Sequence, residues 1–240
     1  MDRAMFASAS GMAAQQQNLD VVADNLANAD VAGFKGAQAT FAAIGGNAQL
    51  GTAATGVHQN VAQGKLMKSG GVFDVAIDGG GFFAIERNGE HGFTRAGAFA
   101  RGADGTLHNA EGWTLHGIRL PANAVDVAVS VDGSVRVRSL GGAQHTVGRI
   151  ALATFDAPEK LRPVGSAVFA ATVDSGRARS LRTGGDREPK IAFGMLEKSN
   201  VSIVESMMAI LAAQRAYEAN AKGVQAADEM LRIANNIHRS

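Results

Sequence analysis

Histidine is the side chain of this sequence best suited to bind a metal or move a proton near neutral pH, and there are six: His58, His91, His108, His116, His145 and His238. None of them forms a close ligand pair on one helix face. His108 and His116 could meet across a sheet, but nothing specific supports a shared ligand there, so each reads as an exposed or hairpin histidine. Cysteine is absent, which excludes disulfides and thiolate metal sites. Asp78-Gly79-Gly80-Gly81 follows an apolar alternation, as a phosphate-binding loop can. What comes next, Phe82-Phe83-Ala84-Ile85, is a strand pattern, whereas a phosphate cradle needs the free amides of a helix N-terminus. The glycines therefore mark a turn. Gly165-Ser166-Ala167 lacks the second glycine of a nucleophile elbow. Asp20, Asp24 and Asp30 are spaced for a solvated helix face rather than an acid–base pair. No catalytic constellation emerges, and no cofactor or metal is expected.

The stronger regularity is mechanical. Met5, Met12, Leu19 and Leu26 recur every seven residues near the start, and Ile203, Ile210, Tyr217, Val224 and Leu231 do so near the end. A seven-residue apolar repeat makes a narrow seam that calls for another helix. A helix lying on a globular core shows similar spacing. Two features favour helix pairing: the stripes sit at opposite chain ends, and each helix exceeds the average of about 11–12 residues. Alanine dominates both, so their packing surfaces are shallow and the helices can approach closely. Residues 4–29 read as one helix, weakest at Gly11 and stopped by Asn28, Asp30 and Gly33. The second runs from about Glu197 to Ile237, capped by Ser199 or Asn200, with Glu205 in its early turns. Asn25 and Asn28, beside Leu26, either bridge to neighbouring backbone or face water.

Between the helices the grammar is β. Phe34–Ile44 is a strand or a helical turn, and 45–56 a glycine-rich loop or link. From Val57 the chain alternates, with hairpin signals at Asn88-Gly89, Asp104-Gly105 and Asp132-Gly133. Val147–Phe155 reads as a strand and 175–190 as an exposed, arginine-bearing loop. The fold class is therefore α+β: a discontinuous coiled-coil domain from the paired N- and C-terminal helices, plus a central β-rich domain. The boundaries are 1–35 with 195–240 for the inner helical assembly domain, 36–72 for a linker or extended segment, and 73–194 for the β-rich outer domain.

Composition narrows the function classes. A net charge of +1 from 23 basic and 22 acidic residues argues against a nucleic-acid footprint, which needs a clustered basic surface. No apolar run reaches ~18 residues, so no integral membrane segment is expected. Met1-Asp2-Arg3-Ala4-Met5-Phe6 lacks the basic region and apolar core of a secretory signal, so any export is expected to bypass the general signal-peptide route.

Ordered motifs then point to one family. Asn25-Leu26-Ala27-Asn28 with Gly33-Phe34-Lys35, and the run Asp74 to Phe83, resemble the signatures of bacterial flagellar rod and hook proteins. Phe93-Thr94-Arg95, Gly97, Phe99 and Asp104-Gly105 continue that likeness. Leu196-Glu197, Ser199-Asn200-Val201, Gln214-Arg215-Ala216-Tyr217-Glu218, Asn220 and Lys222 are similar to the family's C-terminal signature. The likeness spans nearly the whole chain. It is strongest to the distal rod branch, through Ala227 to Leu231 and Ala234-Asn235-Asn236, with the proximal rod branch as the alternative. Phe41–Thr55 is shorter than the corresponding distal segment, which resembles a stiffening contact between subunits.

The resemblance implies a non-enzymatic subunit of the basal-body rod, polymerising into a helical tube that transmits torque from motor to hook. Its implied partners are copies of itself, other rod proteins, the hook protein, the P- and L-ring bushing and the flagellar type III export apparatus. The expected assembly seam is Met5, Met12, Leu19, Leu26, Ile203, Ile210, Tyr217, Val224 and Leu231, together with Asn25, Asn28, Gln214 and Arg215. A secreted β-rich surface-binding module with coiled-coil oligomerisation ends would share the architecture but not the ordered motifs.

Overall fold

The computed structural model describes residues 2–45 and 51–237. His238 and the 46–50 part of the expected glycine-rich link lie outside the described residues. The chain divides into two compact units. One comprises Met1–Ala27, Ala37–His58 and Val201–Ser240, the other Asn28–Gly36 and Gln59–Asn200.

The first unit is built on two helices, α1 (Asp2–Ala27) and α2 (Ile203–Ile237), which pack against each other. Alanine, glutamine, methionine and leucine give α1 its helical preference. Asn25 closes its end: the side-chain amide donates to Ala37 O and the side-chain carbonyl accepts from Ala37 N, both at 2.7 Å. This is the backbone bridge that the sequence allowed for Asn25. The helix α2 begins after Ser202, whose Oγ accepts from Glu205 N at 3.3 Å, an N-cap with an acid in the first turn. It starts later than the expected Glu197 because Met195–Glu197 is a strand paired with Leu66–Lys68. Neither Ser199 nor Asn200 is the cap. The strands β1 (Ala37–Ile44) and β2 (Gly51–Gln59) pair with each other, so the expected loop over 51–56 is extended chain instead. Thr55 Oγ1 donates to Thr40 Oγ1 across them at 3.1 Å, and β-branched threonines suit such a ribbon.

The second unit is antiparallel β. Its central strand, Phe82–Arg87, pairs with Glu90–Thr94 on one edge and with Thr114–Arg119 and Leu152–Thr154 on the other. Because side chains alternate across a strand, Phe83 and Ile85 join one core cluster and Phe82 and Ala84 the other. The larger cluster holds Trp113, Leu115, Val135, Val137, Val168 and Ile191. The smaller is aromatic, with Phe82, Phe93, Phe155 and Phe169 in edge-on contact at 4.8 to 6.0 Å. The Asn88-Gly89 hairpin forms as the sequence indicates, both residues at positive φ (53° and 83°). Asp132-Gly133 likewise joins Ala124–Val129 to Ser134–Ser139. The single strand expected over Val147–Phe155 is two, Gln144–Arg149 and Leu152–Thr154, because the chain leaves one sheet for another between them. The expected loop 175–190 contains a short strand, Arg179–Leu181, paired with Leu152–Thr154.

Candidate assembly surfaces

The α1–α2 contact is made by small side chains. Among the described side chains of α2 the deepest are Ser206, Ala213 and Ala227, at 7%, 3% and 1% exposure, on the same seven-residue period as Asn220. On α1, Ala14 is buried. A Cβ on Gly11 would stand 2.8 Å from Asn220 Nδ2, and one on Gly223 would stand 2.8 Å from Ser8 Oγ. The backbones therefore approach at distances that only small residues permit. The large heptad residues flank this row, three and four positions away. Met5, Met12, Leu19, Leu26, Ile210, Val224 and Leu231 are partly buried, as are Asn25 and Asn28. Ile203 and Tyr217 are exposed (43% and 40%), and so are Gln214 and Arg215. The heptad signal thus located the helix pair, while the residues at its centre were missed; their mark in the sequence is a second seven-residue row made of Ser, Ala and Asn.

The same helix carries an apolar surface that the chain does not cover. Val204, Met207, Met208 and Leu211 are 68%, 53%, 67% and 56% exposed. At 3.6 residues per turn, Val204, Met208 and Leu211 point roughly opposite to Ser206 and Ala213. Large apolar side chains grouped in water make this face a candidate contact surface.

In the second unit a charged cluster lies out of water. Lys35 Nζ sits 2.5 Å from Glu197 Oε1, both side chains fully buried, and donates to Ala62 O at 2.6 Å. Gly64 N donates to the same carboxylate oxygen at 2.7 Å. Arg95 Nη1 stands 3.4 Å from Glu197 Oε2 without hydrogen-bond geometry, while its Nη2 donates to Gly79 O at 2.7 Å. Burial pulls the Lys35 ammonium below the ordinary lysine value, against the Glu197 hydrogen bond and charge that raise it. Burial lowers Arg95 too, opposed by Glu197. Above this cluster, Asn200 Oδ1 accepts from Gly36 N at 2.8 Å, and its Nδ2 donates to Asn60 O and Ala62 O at 2.7 and 3.0 Å.

Chemically reactive groups are not gathered in the same way. His116 Nδ1 lies 3.3 Å from Glu86 Oε2 on an exposed strand face, and His108 Nδ1 meets Asn109 O. His108 lies across from Thr114 rather than His116. Among the described residues, no group of three His, Asp or Glu is placed to hold a metal ion, and no helix is long and apolar enough to cross a membrane.

Paired terminal helices in one unit and antiparallel β in the other define a discontinuous α+β chain. Comparison with known proteins is specific. Residues 5–35 match the model "Flagella basal body rod protein", 76–137 match "Flagellar hook protein FlgE/F/G D1 domain", and 193–237 match "Flagellar basal body rod FlgEFG protein C-terminal". The chain is 33% identical to the flagellar basal-body rod protein FlgG of Borreliella burgdorferi, over the full length of both. It is 34% identical to FlgG of Agrobacterium fabrum, covering 97% of this chain and 98% of that one. It is 32% identical to the rod protein FlgF of Caulobacter vibrioides, covering 98% and 97%. The chain belongs to the flagellar basal-body rod protein family. Its role is that of a structural subunit of the flagellar rod rather than an enzyme.

Proposed function

We propose that this subunit polymerises with copies of itself into the distal part of the rod, a helical tube that carries torque from the motor to the hook. The carrying observation is the bare apolar face of α2, made by Val204, Met208 and Leu211 opposite the row that α1 covers, with Met207 beside them. In this reading the heptad residues Met5, Met12, Leu19, Leu26, Ile203, Ile210, Tyr217, Val224 and Leu231 form or flank the seam. Asn25, Asn28, Gln214 and Arg215 sit at its edges. Contacts between unlike surfaces that do not close into a ring generate such a tube. Residues 1–35 and 195–240 would form its inner helical wall, 73–194 the outer layer, and 36–72 the segment between. Its other partners are neighbouring rod proteins, the hook protein, the P- and L-ring bushing and the type III export apparatus.

Similarity to FlgF keeps the proximal rod as the second reading. Electron microscopy of basal bodies from a strain lacking the gene separates the two. A long rod stub without hook or filament supports the distal position, and a short stub the proximal one. Complete flagella would overturn both.

A further inference from the structure

The chain passes between its two compact units at four points: 27/28, 36/37, 58/59 and 200/201. Within the second unit, the segments just inside three of them are tied to one another. Asn60 N donates to Gly36 O at 2.7 Å, Asn200 N to Phe34 O at 3.4 Å and Gly33 N to Glu197 O at 2.7 Å. The Asn200 side chain bonds to Gly36, Asn60 and Ala62. Beneath them the Glu197 carboxylate takes Lys35 and the Gly64 amide on one oxygen and faces Arg95 with the other. Glycine is required at two places. Gly33 has φ +71° with Ala96 N where a Cβ would be, and a Cβ on Gly64 would overlap Lys198 O.

We infer that Glu197 is the keystone of an interlock that lets the N-terminal and C-terminal roots of the subunit become fixed only together. The physical reason is the burial of two cations around one anion. With Met195–Glu197 undocked, Lys35 and Arg95 would be left as neighbouring like charges with no carboxylate between them. Such an arrangement is strongly unfavourable. With 33–36 undocked, Glu197 would keep Arg95 only at 3.4 Å and lose its short bond to Lys35. Lys35 and Glu197 are 162 positions apart, so neither root can be secured by local sequence. A chain whose C-terminal part has not arrived would hold its N-terminal root loose. The device acts inside one subunit and does not depend on how copies assemble.

Amide hydrogen exchange on the purified full-length chain tests it, comparing Glu197→Gln and Lys35→Met with the parent. The reporters are the bonded amides of Gly33, Gly36, Asn60 and Gly64 on the N-terminal side, and of Lys198 and Asn200 on the C-terminal side. Each variant is expected to lower protection on both sides, by roughly 100-fold or more for an unpaired buried charge. The amides of strands Phe82–Arg87 and Glu90–Thr94 should keep theirs. Linkage requires the two effects to be reciprocal. Loss confined to the mutated side would overturn the interlock. Should a charge variant unfold the β unit, Asn200→Ala, which removes neutral hydrogen bonds only, is read instead. Loosening at Gly33 and Asn60, whose amides do not bond to the removed side chain, with an intact sheet supports the interlock, and unchanged protection at either refutes it.

Discussion

Replacing Met208 by aspartate puts a charge in the middle of the bare α2 face. A fully buried side chain of this size gains about 1.5–3 kcal/mol over its exposed state. Val204, Met207, Met208 and Leu211 remain 53–68% exposed in the subunit, so covering them in a neighbour contact offers about 1–2 kcal/mol each, or roughly 4–7 kcal/mol for the group. Met208→Asp forfeits its share and takes a carboxylate out of water without a partner, a penalty of several kcal/mol. A net loss of at least about 3 kcal/mol corresponds to a critical concentration raised ~100-fold or more. The subunit itself should be almost unaffected, within about 1 kcal/mol, because the position faces solvent before assembly. Sedimentation of polymer across a subunit concentration series, with incorporation into basal bodies in cells, reads the first effect; a thermal melt followed by circular dichroism reads the second. Assembly at the parent's concentration would show that this face meets no neighbour. A melt shifted strongly downward would show that it belongs to the chain's own packing.

The converse variant is Gly11→Val, which drives a branched side chain into Asn220; it should destabilise the α1–α2 pair by about 1–3 kcal/mol. That loss is seen as a drop in helical signal with the β unit's melt unchanged. We expect the terminal helices to become firmly folded only on assembly, since a face of alanine, serine and glycine buries little apolar area; hydrogen exchange on free subunit should then show weak protection over residues 4–29, and strong protection there would refute it. Asp132 is held below the usual carboxylate range by its hydrogen bonds from the Ser134 hydroxyl and amide. Its contribution to stability is therefore present above the ordinary aspartate value and lost as the pH falls through the depressed one. Ser134→Ala should move the Asp132 carboxyl resonance titration upward toward the ordinary value, and an unmoved midpoint would refute the assignment.

What the sequence made visible and what it hid divide by the range of the interaction responsible. Asn88-Gly89 was readable because a type I′ hairpin is set by its own two residues, both at positive φ, and Asp132-Gly133 because its glycine supplies the positive φ that the turn needs. Glu197 read as the start of a helix because the pattern that follows it is helical. Its strand partner Leu66–Lys68 and its ion partner Lys35 are more than a hundred residues away, and no local feature says that this glutamate or that lysine is buried. The helix pair shows a subtler case. Period seven correctly indicates a second helix, but the largest residues on that period are not the deepest. Packing depth between helices is decided by the smallest, because close approach requires that nothing protrude. Ser206, Ala213 and Ala227 let the backbones meet, and that leaves large residues such as Met208 and Leu211 with no place in the chain's own contact. A subunit whose helices pair through their small faces cannot also bury their large ones. The closeness of the internal pair and the bareness of the outer face are therefore one fact of sequence, and the second is the surface on which we propose that another copy docks.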